Sequence, residues 1–271
     1  MPSLAEKRAA FKRLHQEGCF VMPNPWDVGS AKYLQSLGFK AVATTSGGLA
    51  WAQGRDDGAI TREVVLAHVA AVSAAVDIPL NVDFEAGFGA TADEVGDSVR
   101  RCVEAGASGL SIEDFPAGGS KSLYPFDEAV ERLKAARAAI DKTGAGVVLT
   151  GRSEGLLRNA ADMEETIRRL KAYSAAGADC LYAPLLRTRE EIKAVIEAVA
   201  PKPVNVLIGW ASDLTVADLA SLGVRRASVG TALARTAWGG FMGVAREIAE
   251  HGSFKGFASG APSGDIVKAF K

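Results

Sequence analysis

The sequence predicts an α/β protein whose parallel strands close into a (β/α)₈ TIM-type barrel. Three observations lead there. Short apolar runs alternate with amphipathic segments along 271 residues, the pattern of repeated βα units. Four amphipathic segments end alike, at Leu37-Gly38, Ala105-Gly106, Ala176-Gly177 and Leu222-Gly223, and an apolar run follows each glycine within a few residues. Acidic, basic and hydroxyl side chains collect just after the apolar runs, where a barrel of this kind carries its chemistry. An open doubly wound sheet is the alternative arrangement of the same units.

Taken in order, Ser3 to Gln16 reads as an amphipathic N-terminal helix with Leu4, Phe11 and Leu14 on its apolar side. Phe20-Val21-Met22 is the first strand, closed by Pro23-Asn24-Pro25, and Asp27 caps the helix that runs to Leu37. Ala41 to Thr45 is the second strand, and Ser46 to Ile60 reads as a glycine-rich loop. A helix leads to the strand Leu80 to Asp83. Thr91-Ala92-Asp93-Glu94 then carries a capping-box pattern for the helix Asp93 to Ala105. The strand Gly109 to Glu113 precedes a second glycine-rich loop, Phe115 to Pro125, and the helix Asp127 to Asp141. Strands Val147 to Thr150, Cys180 to Ala183, Pro203 to Leu207 and Arg226 to Val229 follow. Between them lie helices Asp162 to Ala176, Arg189 to Ala198 and Thr215 to Ser221. A long helix runs from about Thr231 to Glu250, and a C-terminal extension shows a pattern only over Asp265 to Phe270. One barrel domain spans 1–271, with 231–271 free to pack on a partner subunit.

Composition narrows the function. A net charge of −1 argues against nucleic-acid binding, which usually needs a basic excess. No apolar run is long enough to cross a membrane, and the charged start lacks the apolar centre of a secretion signal. A cytoplasmic enzyme is expected. The three cysteines and three histidines are scattered, so a zinc site is not expected.

The stretch Val82-Asp83-Phe84-Glu85-Ala86-Gly87-Phe88-Gly89 is the centre of the functional reading. Residues two apart on a strand share a side, so Asp83 and Glu85 are expected to present two carboxylates together. Like charges held together repel unless a cation intervenes, and oxygen ligands suit a hard ion. With Glu113 at the next strand's end, Asp83 and Glu85 are the candidate ligands of Mg²⁺ or Mn²⁺. Asp114, Glu154, Asn205 and Ser228 also fall at strand ends. Arg152 either pairs with the acids or faces an oxyanion. Ser46-Gly47-Gly48 offers a hydroxyl and backbone N–H groups to a carboxylate or phosphate. On local signals alone Asp57 caps a turn and Lys121 is a solvated loop residue. Arg100-Arg101 and Arg168-Arg169 read as solvated helix faces.

The chain resembles the isocitrate lyase/phosphoenolpyruvate mutase superfamily across nearly its whole length. The carriers are Pro23-Asn24-Pro25-Trp26-Asp27, Thr44-Thr45-Ser46-Gly47, Gly54-x-x-Asp57-Gly58, Asp83 to Gly89, Ile112-Glu113-Asp114 and Arg152-Ser153-Glu154. The resemblance implies a barrel whose eighth helix is swapped between partners in a dimer or tetramer. It implies Mg²⁺ near Asp83, with Glu85 and Glu113 holding ligand waters. It also implies that Ser46, Gly47 and Gly48 grip the substrate carboxylate, with Arg152 at the developing charge and Asp57 near the reacting group. Two departures matter. The loop Phe115 to Pro125 has neither the Cys nor the His of the lyases' Lys-Lys-Cys-Gly-His stretch, so isocitrate and methylisocitrate lyase activity are not expected. Lys121-Ser122-Leu123 resembles part of the mutases' loop, which places Lys121 among the candidate catalytic residues with Asp57 and Arg152.

The expected function is Mg²⁺-dependent chemistry on a small α-keto or α-hydroxy carboxylate through an enolate-like intermediate, in the manner of a C–C lyase or decarboxylase. Asn205 joins Ser46, Gly47, Gly48 and Arg152 as a candidate for binding that substrate. Phosphonomutase or phosphonopyruvate hydrolase chemistry is the first alternative. A keto-acid-binding barrel without catalysis is the second. A metal-free barrel holding phosphate at Ser228-Val229-Gly230 is the third.

Overall fold

In a computed structural model, which describes residues 1–117 and 122–270, eight strands alternate with helices as expected. They are β1 (Phe20–Met22), β2 (Val42–Ala43), β3 (Leu80–Asp83), β4 (Gly109–Glu113), β5 (Val148–Arg152), β6 (Cys180–Tyr182), β7 (Val204–Leu207) and β8 (Arg226–Ser228). All pair in parallel, in the order β1-β8-β7-β6-β5-β4-β3-β2. That order is a barrel cut once, between β1 and β2. The cut is sealed just past β1, where prolines end regular pairing. The Ala43 N–H donates to the Pro23 carbonyl at 3.0 Å. The Asn24 amide then replaces the ladder: its Nδ2 donates to the Thr44 carbonyl at 2.8 Å, and its Oδ1 accepts from the Val229 and Gly230 N–H groups. One buried side chain thus ties together the ends of β1, β2 and β8, and the open-sheet alternative is excluded.

The helices are α1 (Leu4–Leu14), α2 (Val28–Ser36), α3 (Ser46–Ala52), α4 (Arg62–Ala75), α5 (Ala92–Glu104) and α6 (Phe126–Thr143). The chain continues through α7 (Met163–Ala175), α8 (Arg189–Val199), α9 (Val216–Ser221), α10 (Ala232–His251) and α11 (Ser263–Lys268). The capping box predicted at Thr91 is present, with Glu94 as its partner. The four helix-ending glycines all have positive φ, the left-handed conformation that stops a helix and that glycine adopts without strain. One expectation fails. Ser46 to Ala52, read as loop, is α3, capped by the Thr45 side chain. Adjacent glycines disfavour a helix by propensity, but tertiary packing decides here. A Cβ on Gly47 would lie 2.8 Å from Thr231 Cγ2, and one on Gly48 would lie 2.6 Å from Thr45 Cγ2.

Strands and inner helix faces bury one continuous core, from Ala31 and Val42 round to Val224 and Ala227. A smaller cluster of Phe11, Phe20 and Met22 plugs the N-terminal end under α1. The last long helix behaves differently. Of α10's residues only Ala234 is buried, while Trp238, Phe241 and Met242 lie exposed. No described helix is long and apolar enough to cross a membrane.

Candidate active site

Strand register builds the first layer of the site. Glu113 is paired with Arg152 across β4–β5, and Arg152 with Tyr182 across β5–β6. Residues in register share a side of the sheet, so these three side chains meet at the barrel mouth. Arg152 Nε lies 3.2 Å from Glu113 Oε2, and its guanidinium sits 5.0 Å from the Tyr182 ring. Asp83 is in register with Ser111, one layer deeper, and Arg152 reaches it with a 3.2 Å contact to Oδ1. Its Oδ2 accepts the Ser46 N–H at 3.1 Å, which joins α3 to β3.

Glu85 arrives by another route than strand alternation. The strand ends at Asp83, and Glu85 has φ +46, so the chain turns before it. The turn is held in place. The Glu85 carbonyl accepts from the Glu113 N–H at 2.9 Å. The buried Arg132 guanidinium donates to the Ala86 and Gly89 carbonyls at 3.0 and 2.7 Å. The expected juxtaposition is met, but by a left-handed turn.

Asp114 takes no part in the mouth. One residue on from Glu113, it points the opposite way, as strand alternation requires. There it accepts from Ser153 Oγ, the Glu154 N–H, Arg169 and Tyr173 Oη. Arg169 is therefore buried, 6% exposed, and not on a solvated face. This cluster fixes the backbone just after Arg152. Glu154, fully buried, then accepts Arg152 Nε on one oxygen at 2.7 Å and Arg158 Nε on the other at 3.0 Å.

The result is a cavity of about 500 Å³ lined by Ser46, Asp57, Asp83, Glu85, Glu113, Arg152, Arg158 and Tyr182, among others. Burial weighs on its acids. Burial, and then the charges of Asp83 and Asp57, push the Glu85 carboxyl up to about 8, with Arg152 opposing. Burial drives Glu113 upward as well, again against Arg152, and it raises the Tyr182 hydroxyl. A larger hollow of about 730 Å³ lies outside the barrel between α1, α5 and α6. No strand end reaches it, and Arg100 on its rim is paired with Asp97 and Glu104.

Of the residues singled out from sequence, Ser46, Asp57, Asp83, Glu85, Glu113 and Arg152 come together around the cavity. Gly47 and Gly48 sit behind Ser46, against Asp57 and Trp26. The Ser46 N–H is engaged by Asp83 and the Gly48 N–H by Thr45 Oγ1. Asn205 lies a layer below the mouth, in a small polar cavity of about 40 Å³. Its amide donates to Ser228 Oγ and accepts from Arg226. Lys121 falls outside the described residues. Tyr182 and Arg158 were not foreseen. Arg158 could have been found from its spacing, four residues after Glu154. The Ser228-Val229-Gly230 turn gives two N–H groups to Asn24, which removes the donors the phosphate reading required.

The donor set can be tested against a metal ion. It consists of carboxylates and hydroxyls, the ligands of hard cations, with Asp83, Glu85 and Glu113 lining the same cavity. Among the described residues, no three His, Cys, Asp or Glu converge tightly enough to coordinate one ion together.

Known proteins share this sequence and shape. The family model described as phosphoenolpyruvate phosphomutase matches residues 11–249. An uncharacterised protein of Mycobacterium tuberculosis is 36% identical over 224 residues, 82% of each chain. An oxaloacetate decarboxylase of Paraburkholderia xenovorans is 31% identical over 229 residues, 82% of this chain and 74% of that one. The crystal structure of a protein from Burkholderia cenocepacia J2315, described as a lyase/mutase, is 43% identical. It superposes with a TM-score of 0.93 over 98% of this chain and 97% of that one. With the barrel and its mouth already in place, the chain belongs to the phosphoenolpyruvate phosphomutase family, in the isocitrate lyase/phosphoenolpyruvate mutase superfamily of carbon–carbon lyases and phosphonomutases.

Proposed function

We propose that this enzyme uses Mg²⁺, or Mn²⁺, to act on a small α-keto or α-hydroxy carboxylate through an enolate-like intermediate, breaking a C–C bond as a lyase or decarboxylase does. The observation that carries the reading is the gathering of Asp57, Asp83, Glu85 and Glu113 around one cavity with Arg152 among them. Asp83 would hold the ion, with Glu85 and Glu113 orienting its waters. When bound, the ion supplies Lewis-acid polarisation of the substrate's α-oxygen.

The chain's own groups supply the rest. The Ser46 hydroxyl, at the start of α3, faces the cavity and receives the substrate carboxylate beside Gly47 and Gly48. Arg152, held by Glu113 and Glu154, places a fixed positive charge where negative charge grows during bond cleavage, and such pre-set charge needs no reorganisation. Asp57 stands at the cavity wall beside Gly47, within reach of the reacting end as a proton carrier. Phosphonomutase or phosphonopyruvate hydrolase chemistry is the second reading, favoured by the family model that matches. The exposed apolar face of α10 supports its packing on a partner subunit in a dimer or tetramer. Phe241→Asp is then expected to lower the mass seen by light scattering.

Purified protein assayed on oxaloacetate, phosphoenolpyruvate, phosphonopyruvate and 2-methylisocitrate should turn over a keto acid with Mg²⁺ and lose that activity in chelator. No turnover on any of them, together with no Mg²⁺-dependent binding of oxalate, ends this reading.

A further inference from the structure

Among the described residues lining the mouth, two side chains are permanently cationic, Arg152 and Arg158. They are not equivalent. Arg152 is enclosed, with Asp83, Glu113 and Glu154 all within 3.2 Å. It is already engaged by three carboxylates of the chain. Arg158 stands on the lip, its side chain 42% exposed, with one carboxylate partner, Glu154.

Arg158 is nevertheless pre-set. Glu154 is completely buried, and its N–H is tied to Asp114 at 2.7 Å. It holds Arg158 by Nε, the inner nitrogen of the fork. The guanidinium also lies 4.3 Å from the centre of the Phe115 ring, a cation–π contact that holds the planar group in place. A flexible surface arginine loses rotamer freedom when it clamps an anion. This one has already been restricted by a buried acid and an aromatic ring, so less freedom is left to lose.

The charge distribution says what such a group is for. A substrate held by its carboxylate and α-oxygen near Asp83 shares the cavity with Asp57, Glu85 and Glu113. Among the described residues of its wall, an anionic far end meets carboxylates at Asp57, Glu85 and Glu113, and an accessible cation at Arg158 on the lip. We infer that Arg158 is a specificity-determining residue that binds a second anionic group, a carboxylate or a phosphonate, at the far end of the substrate. The site then favours acids with two separated anionic groups over simple monocarboxylic keto acids. This inference rests on the reading of the mouth as a carboxylate site given above.

Calorimetric titration of the full chain in Mg²⁺ tests it with three probes: oxalate, which has no group beyond its carboxylate pair, 3,3-difluorooxaloacetate, which carries a far carboxylate, and phosphonopyruvate, which carries a far phosphonate. Arg158→Gln should weaken at least one of the longer probes about 10- to 100-fold, the size of a charge-assisted hydrogen bond, and change oxalate less than about twofold. Arg158→Lys should restore part of the loss. Whichever longer probe responds names the far group. If oxalate and the longer probes weaken together, Arg158 serves only to support Glu154 and Arg152, and the inference is overturned. Unchanged binding of every probe overturns it too. A wild-type chain that binds none of the three brings down the carboxylate reading itself, a separate result visible before any variant is made.

Discussion

Two arginines lie inside this barrel in opposite company. Arg152, at the mouth, is surrounded by carboxylates: Asp83, Glu113 and Glu154. Arg226, deeper in the barrel, has only neutral hydrogen-bond partners among the described residues. Its Nε donates to Asn205 Oδ1 at 2.8 Å and its two terminal nitrogens reach Thr150 Oγ1 and His15 Nε2. Burial, then the charge of Arg226, hold the His15 ring down at about 3, so it is neutral. Its Nδ1 faces the Phe11 carbonyl, which can only accept, and Nε2 is left to accept from Arg226. Bound by Asn205, Thr150 and His15 at once, Arg226 acts as a strut joining β5, β7, β8 and the end of α1. The carboxylates around Arg152 can be shared with a second cation. The difference teaches where charge is adjustable in this molecule: at the mouth and not below it.

The contrast is broken most directly at Asp83. Asp83→Ala removes the acid that reaches both Arg152 and the Ser46 N–H, yet it sits at a strand end and leaves no apolar void. Expected are a loss of Mg²⁺ binding and a fall in kcat/KM of about 10³-fold or more, the scale of a missing electrostatic group in a preorganised site. The thermal midpoint should stay within a few degrees of wild type. Unfolding of this variant under assay conditions would place Asp83 with Arg226 among the struts.

Sequence alone disclosed the barrel because its signals are local. Short apolar runs, capping boxes and glycine stops each lie within a few residues, and the strand-end rule then delivered Asp83, Glu113 and Arg152. What stayed hidden depends on contacts between distant segments. Gly47 and Gly48 look like a loop until Thr231 and Trp26 are seen packed against them. Glu85 reaches the mouth through a left-handed turn clamped by Arg132 from 43 to 46 residues away. Asp114 was grouped with the mouth by position, although the alternation that turns Glu113 inward turns Asp114 outward. Asn205 looked like a substrate ligand because nothing within its own strand announces Arg226, 21 residues on.

The second test falls on the strut. Arg226→Met keeps much of the volume but strands Asn205 Oδ1 and Thr150 Oγ1 in the interior. A buried polar atom left without its partner costs about 1–3 kcal/mol, so a stability loss of about 2–4 kcal/mol is expected in denaturant titration. Oxalate affinity in Mg²⁺ should hold within about threefold. If affinity collapsed while stability held, the lower arginine would belong to the chemistry after all.

The smallest effect concerns pH and the acids of the mouth. In chelator, the folded state keeps the Glu85 proton up to about 8, whereas an unperturbed glutamate releases it near 4.5. The folded state therefore binds more protons than the unfolded state between those limits, and stability falls as pH rises through that window. One such group contributes at most about 1.4 kcal/mol per pH unit. Glu113 is raised in the same direction, so Glu85→Gln should shallow the slope without flattening it, and the variant should gain on wild type most above pH 8. Mg²⁺ should reverse the trend in wild type, because an ion that needs ionised acids binds more tightly as they lose their protons. The measurement is a set of urea titrations from pH 5 to 9, with and without Mg²⁺. A wild-type slope equal to that of Glu85→Gln would mean that the Glu85 proton is no harder to remove in the fold than outside it. The mouth would then hold its acids as comfortably as the interior holds Arg226.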